Sequence, residues 1–504
     1  MAAAPEVSTT AGVVRGETLD GGIDVFRGIP FAAPPVGALR FRAPDPVEPW
    51  TGVRDATQFG RAAVQLVARP QAAGGRPPMF GGLFGAGELG IDEDCLSINV
   101  WTPSTDGQRP VLVWIHGGAF RLGTGASPNY DGAALATRGD VVVVTFNYRL
   151  GVLGFLYAPE IGAANAGLLD QVAALEWVQR EIGAFGGDPA QVTIFGESAG
   201  GKSVECLLAM PRAKGMFGRA ISQSTYATPM DADAAAERTS KLVAALGCDG
   251  VDGLAAAPLD QLLAAAESDP ATATLGGGPI VDGDVLPAAP VDAVAGGAAA
   301  GLDLVVGTTL DEWKLFAALR GLMAGGGGDV AAVPDEALAA YGEDLAGIGE
   351  PAEPADVAAA MATDRMFRQH AIGLAEAQAR HRPTYMYLFG WKAVVGDGRF
   401  GACHGIEIPF VFGSSGGPLG RLAGSGESDE ARALTATVQD AWLAFARTGS
   451  PSTAALEWPA FDESRRQTMW FDASPRVVDL PLERIRRFWA RSTRNTELSA
   501  PKTS

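Results

Sequence analysis

The apolar residues of this chain fall in short runs separated by segments rich in Gly and Pro. Runs at 98–101, 111–115 and 141–146 consist mainly of Val, Ile, Leu, Trp and Phe. Runs of this length without alternating polar residues are typical of strands buried on both faces of a sheet. The same pattern predicts further strands at 192–195, around Ile221, at 304–306 and at 385–389.

One segment between the predicted strands has the period of a helix instead. Its apolar residues recur at intervals of 4, 3, 3 and 4, at Leu168, Val172, Leu175, Val178 and Ile182. Residues 186–189, Gly-Gly-Asp-Pro, are expected to end this helix. A strand, a helix and a second strand in this order predict an α/β protein with a mostly parallel, doubly wound central sheet flanked by helices. The Ala-rich segments 231–300 and 330–380 predict large helical insertions between later strands.

No clear linker interrupts the sequence, so residues 1–504 are predicted to form a single domain. Residues 61–91 are rich in Gly and Pro. They are interpreted either as an irregular surface loop or as a lid or channel rim, because long loops in compact domains are often functional. Residues 490–504 are predicted to be a flexible tail.

Composition narrows the range of partners. The chain has 504 residues, 47% of them hydrophobic, and a net charge of −19. This charge argues against nucleic acid or an anionic membrane as a partner, since both attract basic surfaces. The four cysteines, Cys95, Cys206, Cys248 and Cys403, have no metal-ligand spacing. We find no signal peptide and no membrane-spanning run, and therefore expect a cytoplasmic protein.

One stretch, residues 192–203, fits two catalytic patterns. Gly196-Glu-Ser198-Ala-Gly200 follows a predicted strand and precedes a helix-compatible run, as in the nucleophile elbow of serine hydrolases. The same stretch also satisfies the P-loop formula, which would end in Lys202 and Ser203. A third interpretation is that small residues here only let a helix pack closely on the sheet.

A serine nucleophile needs backbone donors for an oxyanion, a base and an acid that orients the base. The predicted strand at 111–115 is followed by His116-Gly-Gly-Ala-Phe120, a loop of small residues whose N–H groups can face a reacting carbonyl. We therefore expect the amides of Gly118, Ala119 and Ala199 to form the oxyanion hole.

The base is sought among four histidines. His116 belongs to the oxyanion loop, and His370 and His381 lie near arginines and are interpreted as solvated surface residues. His404, in a glycine-flanked loop, remains. Asp311 and Glu312 directly follow the apolar run at 304–310, and either carboxylate fits the acid. Asp311 also fits a helix N-cap.

The P-loop interpretation lacks its second element, an apolar strand ending in an Asp that binds Mg²⁺. The run at 141–146 ends in Asn147, and the run at 304–306 continues into Gly307. Nucleotide hydrolysis is therefore disfavoured, and Lys202 is interpreted as an ordinary residue of an early helical turn.

The chain resembles the type-B carboxylesterases, which include the bacterial para-nitrobenzyl esterases and the cholinesterases, over about residues 8–485. The resemblance rests on the segments Phe26-Arg-Gly-Ile-Pro-Phe, Glu93-Asp-Cys-Leu96, Asn147-Tyr-Arg-Leu-Gly, Phe185-Gly-Gly-Asp-Pro189, Phe195-Gly-Glu-Ser-Ala-Gly-Gly201 and His404-Gly-Ile-Glu-Ile-Pro-Phe410. It implies an α/β-hydrolase fold and hydrolysis of small-molecule carboxylic esters through an acyl-enzyme. It implies neither a cofactor nor a metal.

The resemblance also implies roles for individual residues. Glu312 corresponds to the acid of the family's Asp-Glu-Gly motif, which completes a triad of Ser198, His404 and Glu312. Glu197 is expected to stay ionised beside the serine, and Ser224 is expected close behind the catalytic groups. Some family members lack the serine and act in adhesion, and the intact triad argues against that role here.

The chain departs from the family pattern at several positions. Trp313 and Tyr226 stand where glycine is usual, so we expect both rings, together with Phe120, to shape the substrate pocket. The alternative is that the rings of Trp313 and Tyr226 pack into the core or against a loop, away from the substrate. Cys95 matches a family cysteine, but no cysteine precedes it, so the family's first disulfide is not expected. This agrees with a reducing compartment.

Overall fold

The computed structural model of the chain describes residues 4–65, 82–83, 89–226, 230–268, 277–324 and 333–499, and all of their side chains except those of 230, 319–324 and 492–499. The strands are β1 Glu6–Ser8, β2 Val13–Arg15, β3 Glu17–Thr18, β4 Asp24–Pro30, β5 Val53–Asp55, β6 Ala62–Ala63, β7 Ile91–Asp92, β8 Ser97–Thr102, β9 Arg109–Ile115, β10 Val142–Phe146, β11 Gly187–Glu197, β12 Arg219–Gln223, β13 Met230–Asp231, β14 Ile280–Val281, β15 Asp303–Thr309, β16 Thr384–Phe389, β17 Thr468–Phe471 and β18 Arg476–Val478.

The α-helices are α1 Ala133–Gly139, α2 Gly151–Phe155, α3 Ala166–Glu181, α4 Ala199–Ala209, α5 Ala232–Leu246, α6 Asp252–Ala256, α7 Leu259–Ser268, α8 Pro290–Ala295, α9 Glu312–Ala324, α10 Asp335–Gly347, α11 Pro354–Thr363, α12 Gln369–Ala379, α13 Ile408–Phe412, α14 Pro418–Ala423, α15 Asp429–Thr448 and α16 Glu483–Ser499. Short 3₁₀ turns occur at Gly37–Leu39, Pro128–Tyr130, Pro159–Ile161, Ile182–Phe185 and Pro211–Ala213, and a π-helical turn at Asp364–Arg368.

Eleven of the described strands form one twisted sheet in the order β18-β17-β16-β15-β12-β11-β9-β10-β8-β4-β3. Every neighbouring pair from β10 to β17 is parallel, and the antiparallel pairs lie towards the two edges. Each strand predicted from the apolar runs belongs to this sheet. The prediction of a mostly parallel sheet is therefore confirmed.

The central strands are largely apolar because each of their faces is covered. In β9, Val111, Val113 and Ile115 pack into one core cluster, whereas Leu112 and Trp114 pack into a second. Successive side chains of a strand point to opposite faces, so the two clusters lie on opposite sides of the sheet. Helices α3, α4 and α12 contribute to the first cluster and α13 and α15 to the second.

Helix α3 confirms the periodic segment predicted between two strands. It ends in a 3₁₀ turn closed by Gly186, whose φ of 77° is a left-handed conformation that glycine adopts without strain. Strand β11 follows and leads directly into Ser198 and α4. The carboxyl ends of parallel strands meet at one edge of a sheet, which is where ligands bind in such folds.

Two predictions about irregular segments have different outcomes. The backbone of α16 is helical through Ser499, so most of the tail predicted at 490–504 is helix instead. Residues 61–91, interpreted as a surface loop or as a lid or channel rim, have their ends joined by parallel pairing of β6 with β7, while 66–81 and 84–88 lie outside the described residues. In the described part of the chain, no helix has the length and apolarity needed to span a bilayer. All four cysteines are unbonded thiols.

Candidate active site

Ser198 lies at a sharp turn between β11 and α4. Its φ of 59° and ψ of −119° are unusual for a residue with a side chain, and its N–H donates to the Gln223 carbonyl at 2.9 Å. A Cβ atom at Gly200 would lie 1.9 Å from the Ile115 oxygen, and one at Gly196 would lie 2.6 Å from backbone atoms of Gly200. Glycine is required at both positions, as the elbow motif predicted.

The loop after β9 has an irregular backbone, which leaves some of its amides without the hydrogen bonds of a helix or a sheet. Gly118, Ala119 and Phe120 have φ values of 114°, 56° and 56°. Among the described residues, the N–H groups of Gly118, Ala119 and Ala199 donate no hydrogen bond, although both alanines are buried. A buried backbone donor without a partner costs free energy, so these three amides are available for a ligand oxygen.

The same loop is held in place from two sides. Gln65 accepts a hydrogen bond from the Gly123 N–H at 3.0 Å and donates to the Gly123 carbonyl at 2.9 Å. The Tyr148 hydroxyl donates to the His116 carbonyl at 2.8 Å, and its ring stacks on the His116 ring. Burial lowers the pKa of His116 to about 4, so this imidazole is neutral at neutral pH.

His404 and Glu312 are joined by a short hydrogen bond. Nδ1 of His404 lies 2.6 Å from Oε2 of Glu312, and the Thr309 N–H donates to Oε1 of the same carboxylate at 2.7 Å. Both side chains are buried. Glu312 is the first residue of α9, directly after β15, and His404 lies in the loop after β16, so two adjacent strands bring them together.

Asp311, the alternative acid, points elsewhere. Its Oδ2 accepts from the Ala402 N–H at 2.9 Å, and its Oδ1 pairs with Lys314 at 2.9 Å. Its backbone is bonded to Ala402 as well. Asp311 therefore ties α9 to the loop that carries His404, while Glu312 contacts the imidazole itself.

The second nitrogen of His404 faces the serine turn. Among the described residues, Nε2 makes no hydrogen bond, and it lies 3.2 Å from Oε1 of Glu197, the residue before Ser198. Burial, with repulsion from Glu312 added, raises the pKa of Glu197 well above its usual value. Burial therefore opposes the expected ionisation of Glu197, while the nearby imidazole of His404 would favour it, so the charge of this carboxyl stays a prediction.

A second buried carboxyl, Glu407, lies behind the imidazole and was not singled out from the sequence. Its Oε1 accepts from Gln223 at 3.3 Å, and Gln223 also accepts from the Trp442 indole at 3.4 Å. Burial, together with Glu197 and Glu312, raises the pKa of Glu407 to about 8. Glu407 lies three residues after His404, in the segment His404-Gly-Ile-Glu407. This spacing is the signal in the sequence that could have identified it.

Two aromatic rings enclose His404. Phe316 and Phe367 have ring centroids 5.2 and 4.9 Å from the imidazole. Phe316 lies four residues after Glu312 on α9, a spacing that puts both on one helix face, and the sequence could have indicated it for that reason. Phe367 lies in the π-helical turn, and no sequence pattern singles it out.

The residues predicted to shape the pocket lie around these rings. Trp313 is partly buried and packs 5.5 Å from Phe316, and Tyr226 is buried 6.3 Å from Phe367 with its hydroxyl unpaired among the described residues. Phe120 packs edge-on against Phe155 at 4.9 Å. Ser224 is fully buried, and its N–H donates to the Gly307 carbonyl. None of these contacts tests their role towards a substrate.

The Lys202 side chain belongs to a buried cluster of charged groups. Its Nζ lies 2.6 Å from Oε2 of Glu205 and 3.0 Å from Nε2 of His370, which in turn lies 2.9 Å from Glu205. Lys202 is fully buried and does not reach out to a phosphate. The interpretation of His370 as a solvated surface residue is wrong, whereas His381 is exposed as expected.

Comparison with known proteins agrees with this geometry. The model of the carboxylesterase family matches residues 3–324 and 332–489. The chain is 40% identical to the para-nitrobenzyl esterase of Bacillus subtilis, over 94% of this chain and 96% of that one. It is 36% identical to the phenmedipham hydrolase of Pseudarthrobacter oxydans, over 91% and 93% of the two chains.

Solved structures give the same result. A para-nitrobenzyl esterase superimposes with a TM-score of 0.82 at 38% identity, over 96% of this chain and 99% of that one. A carboxylesterase of Geobacillus stearothermophilus gives a TM-score of 0.81 at 38% identity and the same coverage. The predicted α/β-hydrolase fold is thereby confirmed. With an elbow serine, a histidine–glutamate pair and near-complete coverage by its relatives, the chain belongs to the carboxylesterase family and is a carboxylic ester hydrolase.

Proposed function

We propose that this enzyme is a serine carboxylesterase that works through an acyl-enzyme formed on Ser198. The observation that carries the proposal is the 2.6 Å hydrogen bond between His404 and Glu312, with the unpaired Nε2 of His404 facing the turn that holds Ser198. In that arrangement the carboxylate fixes the tautomer in which Nε2 is the proton acceptor.

The reaction then has two halves. His404 takes the proton of the Ser198 hydroxyl as its oxygen attacks the ester carbonyl, and Glu312 stabilises the imidazolium that forms. The imidazolium gives this proton to the departing alkoxide, which leaves as the alcohol. Water then attacks the acyl-enzyme with His404 again as base, and the carboxylic acid and free Ser198 are released.

The amides of Gly118, Ala119 and Ala199 are the donors for the negative oxygen of each tetrahedral intermediate. They are unpaired among the described residues and belong to a braced loop and to a helix N-terminus. Donors fixed before the reaction stabilise the developing charge without reorganising, and losing one such donor costs on the order of 10²–10³ in turnover.

The carboxyls around His404 support the same chemistry. Burial and the repulsion of Glu312 raise the pKa of Glu197, so of these two carboxyls Glu312 is the one favoured as the charged partner of the imidazolium. The aromatic rings of Phe316 and Phe367 enclose the ring of His404, and exclusion of water strengthens its bond to Glu312.

The substrates we propose are small carboxylic esters. Relatives named as a para-nitrobenzyl esterase and a phenmedipham hydrolase support this class. We keep Trp313, Tyr226 and Phe120 as the proposed pocket residues. Trp313 and Tyr226 each contact a ring that encloses His404, and Phe120 belongs to the oxyanion loop itself.

Covalent labelling tests the nucleophile. A sulfonyl fluoride or organophosphate is expected to modify Ser198 and to abolish hydrolysis of para-nitrophenyl butyrate, and Ser198→Ala is expected to lose both. Ser203→Ala is the matched control, because Ser203 lies on helix α4 just after the turn and its buried hydroxyl accepts a hydrogen bond from Gln171. A Ser198→Ala protein that still takes the label or still turns over would reject the proposal.

A further inference from the structure

A cavity of about 460 Å³ adjoins the outer side of the oxyanion loop, among the described residues. It lies between that loop, helix α2 and the inserted helices α5 and α7. Its volume is within the range of small-molecule pockets, about 300–1,000 Å³. Most of its lining side chains are apolar, including Leu150, Phe155, Leu156, Leu242 and Leu263.

The cavity is lined by residues that belong to the oxyanion loop or hold it in place. Arg121 lines it and lies two residues after Ala119, so the two Cα atoms are at most about 7.6 Å apart. Gln65 lines it too, and Gln65 is the side chain that holds Gly123 at the end of the loop. The cavity therefore lies beside the loop whose amides are proposed to hold an ester carbonyl.

The described residues that line the cavity include three cationic side chains, Arg121, Arg238 and Lys241, and one carboxylate, Glu267. Lys241 pairs at 2.8 Å with Glu237, which is outside the cavity. The Arg121 guanidinium makes no hydrogen bond or ion pair with any described residue, although it is partly buried.

The Arg121 guanidinium has charged neighbours of opposite sign. Burial lowers the pKa of Arg121, and the attraction of Glu267 is opposed by the repulsion of Arg238. A guanidinium in this setting gains most from a carboxylate, whose two oxygens match its parallel N–H groups. The acidic surface of the protein opposes this only weakly, because charges more than about 8 Å away are screened at physiological ionic strength.

We propose that this cavity binds the free carboxylate of the substrate, so that the enzyme prefers esters with an apolar chain ending in a carboxylate, such as half-esters of dicarboxylic acids. The chain packs on the apolar wall and the carboxylate pairs with Arg121. This inference rests on the proposed function, because Ser198 and the loop amides must hold the ester carbonyl.

The test compares matched esters that differ in one charged group. On the acyl side, the mono-para-nitrophenyl ester of adipic acid is compared with para-nitrophenyl hexanoate. On the alcohol side, 4-acetoxybutanoate is compared with butyl acetate. The quantity measured is the ratio of kcat/KM for the anionic ester to that for its neutral partner.

Arg121→Met is expected to lower this ratio about tenfold or more on one of the two sides, which identifies the substituent that enters the cavity. Arg121→Lys keeps the charge and is expected to keep part of the preference. Arg42→Met is the matched control, because Arg42 is an exposed arginine outside the cavity, and its ratio is expected to stay within about twofold of wild type.

A measurement on the wild-type enzyme makes the test independent of how the variants fold. The ratio is expected to fall as NaCl is raised, since the attraction of Arg121 for the carboxylate is screened. A ratio that does not respond to salt, or that is unchanged in folded Arg121→Met on both sides, overturns the proposal. Ester hydrolysis that survives in Ser198→Ala would instead reject the proposed function.

Discussion

Nδ1 of His404 lies 2.6 Å from Oε2 of Glu312, whereas the adjacent carboxylate of Asp311 bonds to Ala402 and Lys314. Two neighbouring acids at the end of one strand therefore have separate partners. One contacts the imidazole, and the other fastens the loop that carries it.

This difference predicts the outcome of two matched substitutions. Glu312→Gln is expected to lower kcat by about 10⁴, because the amide no longer stabilises the imidazolium or fixes its tautomer. Asp311→Asn is expected to lower kcat far less, since it alters only the support of the loop. Both are measured on para-nitrophenyl butyrate, with circular dichroism to confirm folding. Equal losses, or a larger loss for Asp311→Asn, would contradict the assignment.

The buried cluster on helix α4 predicts a large effect on stability. Glu205 lies 2.6 Å from Lys202 and 2.9 Å from His370, and both groups hold the pKa of Glu205 down, to about 2, against the cost of burial. Glu205→Gln leaves the Lys202 charge buried without its partner, so the free energy of unfolding is expected to fall by about 3–5 kcal/mol.

Urea unfolding measures this, with Glu237→Gln as the control. Glu237 pairs with Lys241 on an exposed helix face, where such pairs contribute about 0.3–0.5 kcal/mol. The pH dependence gives a second check. The folded-state pKa is depressed, so the contribution of Glu205 is present above about pH 4.5 and is lost as the pH falls towards 2. Equal losses in the two variants would show that the cluster does not stabilise the fold.

Glu407 predicts the opposite pH dependence. Its pKa is raised from 4.5 to about 8, so between these values the folded state keeps a proton that the unfolded state has released. The free energy of unfolding is therefore expected to fall as the pH rises through this window. Glu407→Gln, which mimics the neutral acid, is expected to become more stable relative to wild type from about pH 5 to about pH 9. Parallel unfolding curves across that range would contradict a raised pKa.

The proposed pocket residues predict a change in substrate preference. If the ring of Trp313 borders the substrate, Trp313→Gly is expected to raise kcat/KM for bulky acyl esters relative to short ones, since a single methylene of fit is worth about 1–3 kcal/mol. Tyr226→Gly is the companion variant. Tyr226 is almost fully buried against Phe367, so its truncation also leaves a core cavity, which calorimetry will detect. An unchanged preference in folded Trp313→Gly would remove it from the pocket.

The sequence by itself determined the features that depend on neighbouring residues. The apolar runs identified the parallel strands, because a strand covered on both faces tolerates few polar residues. The glycines around Ser198 identified the turn, because a Cβ at Gly200 would collide with Ile115. The periodic segment ending at Gly186 identified α3 for an equally local reason, a helical repeat closed by a left-handed residue.

Only the tertiary structure decided which distant residues meet. The residue pattern left Asp311 and Glu312 equivalent, and only the family resemblance pointed to Glu312. It is the pairing of β15 with β16 that brings Glu312, and not Asp311, to His404. His370 has the neighbours of a surface residue in the sequence, yet packing of α12 near α4 puts it beside Lys202 and Glu205. The burial of Glu197 was likewise not visible in the sequence, because desolvation depends on what surrounds a carboxyl in space and not on its neighbours along the chain.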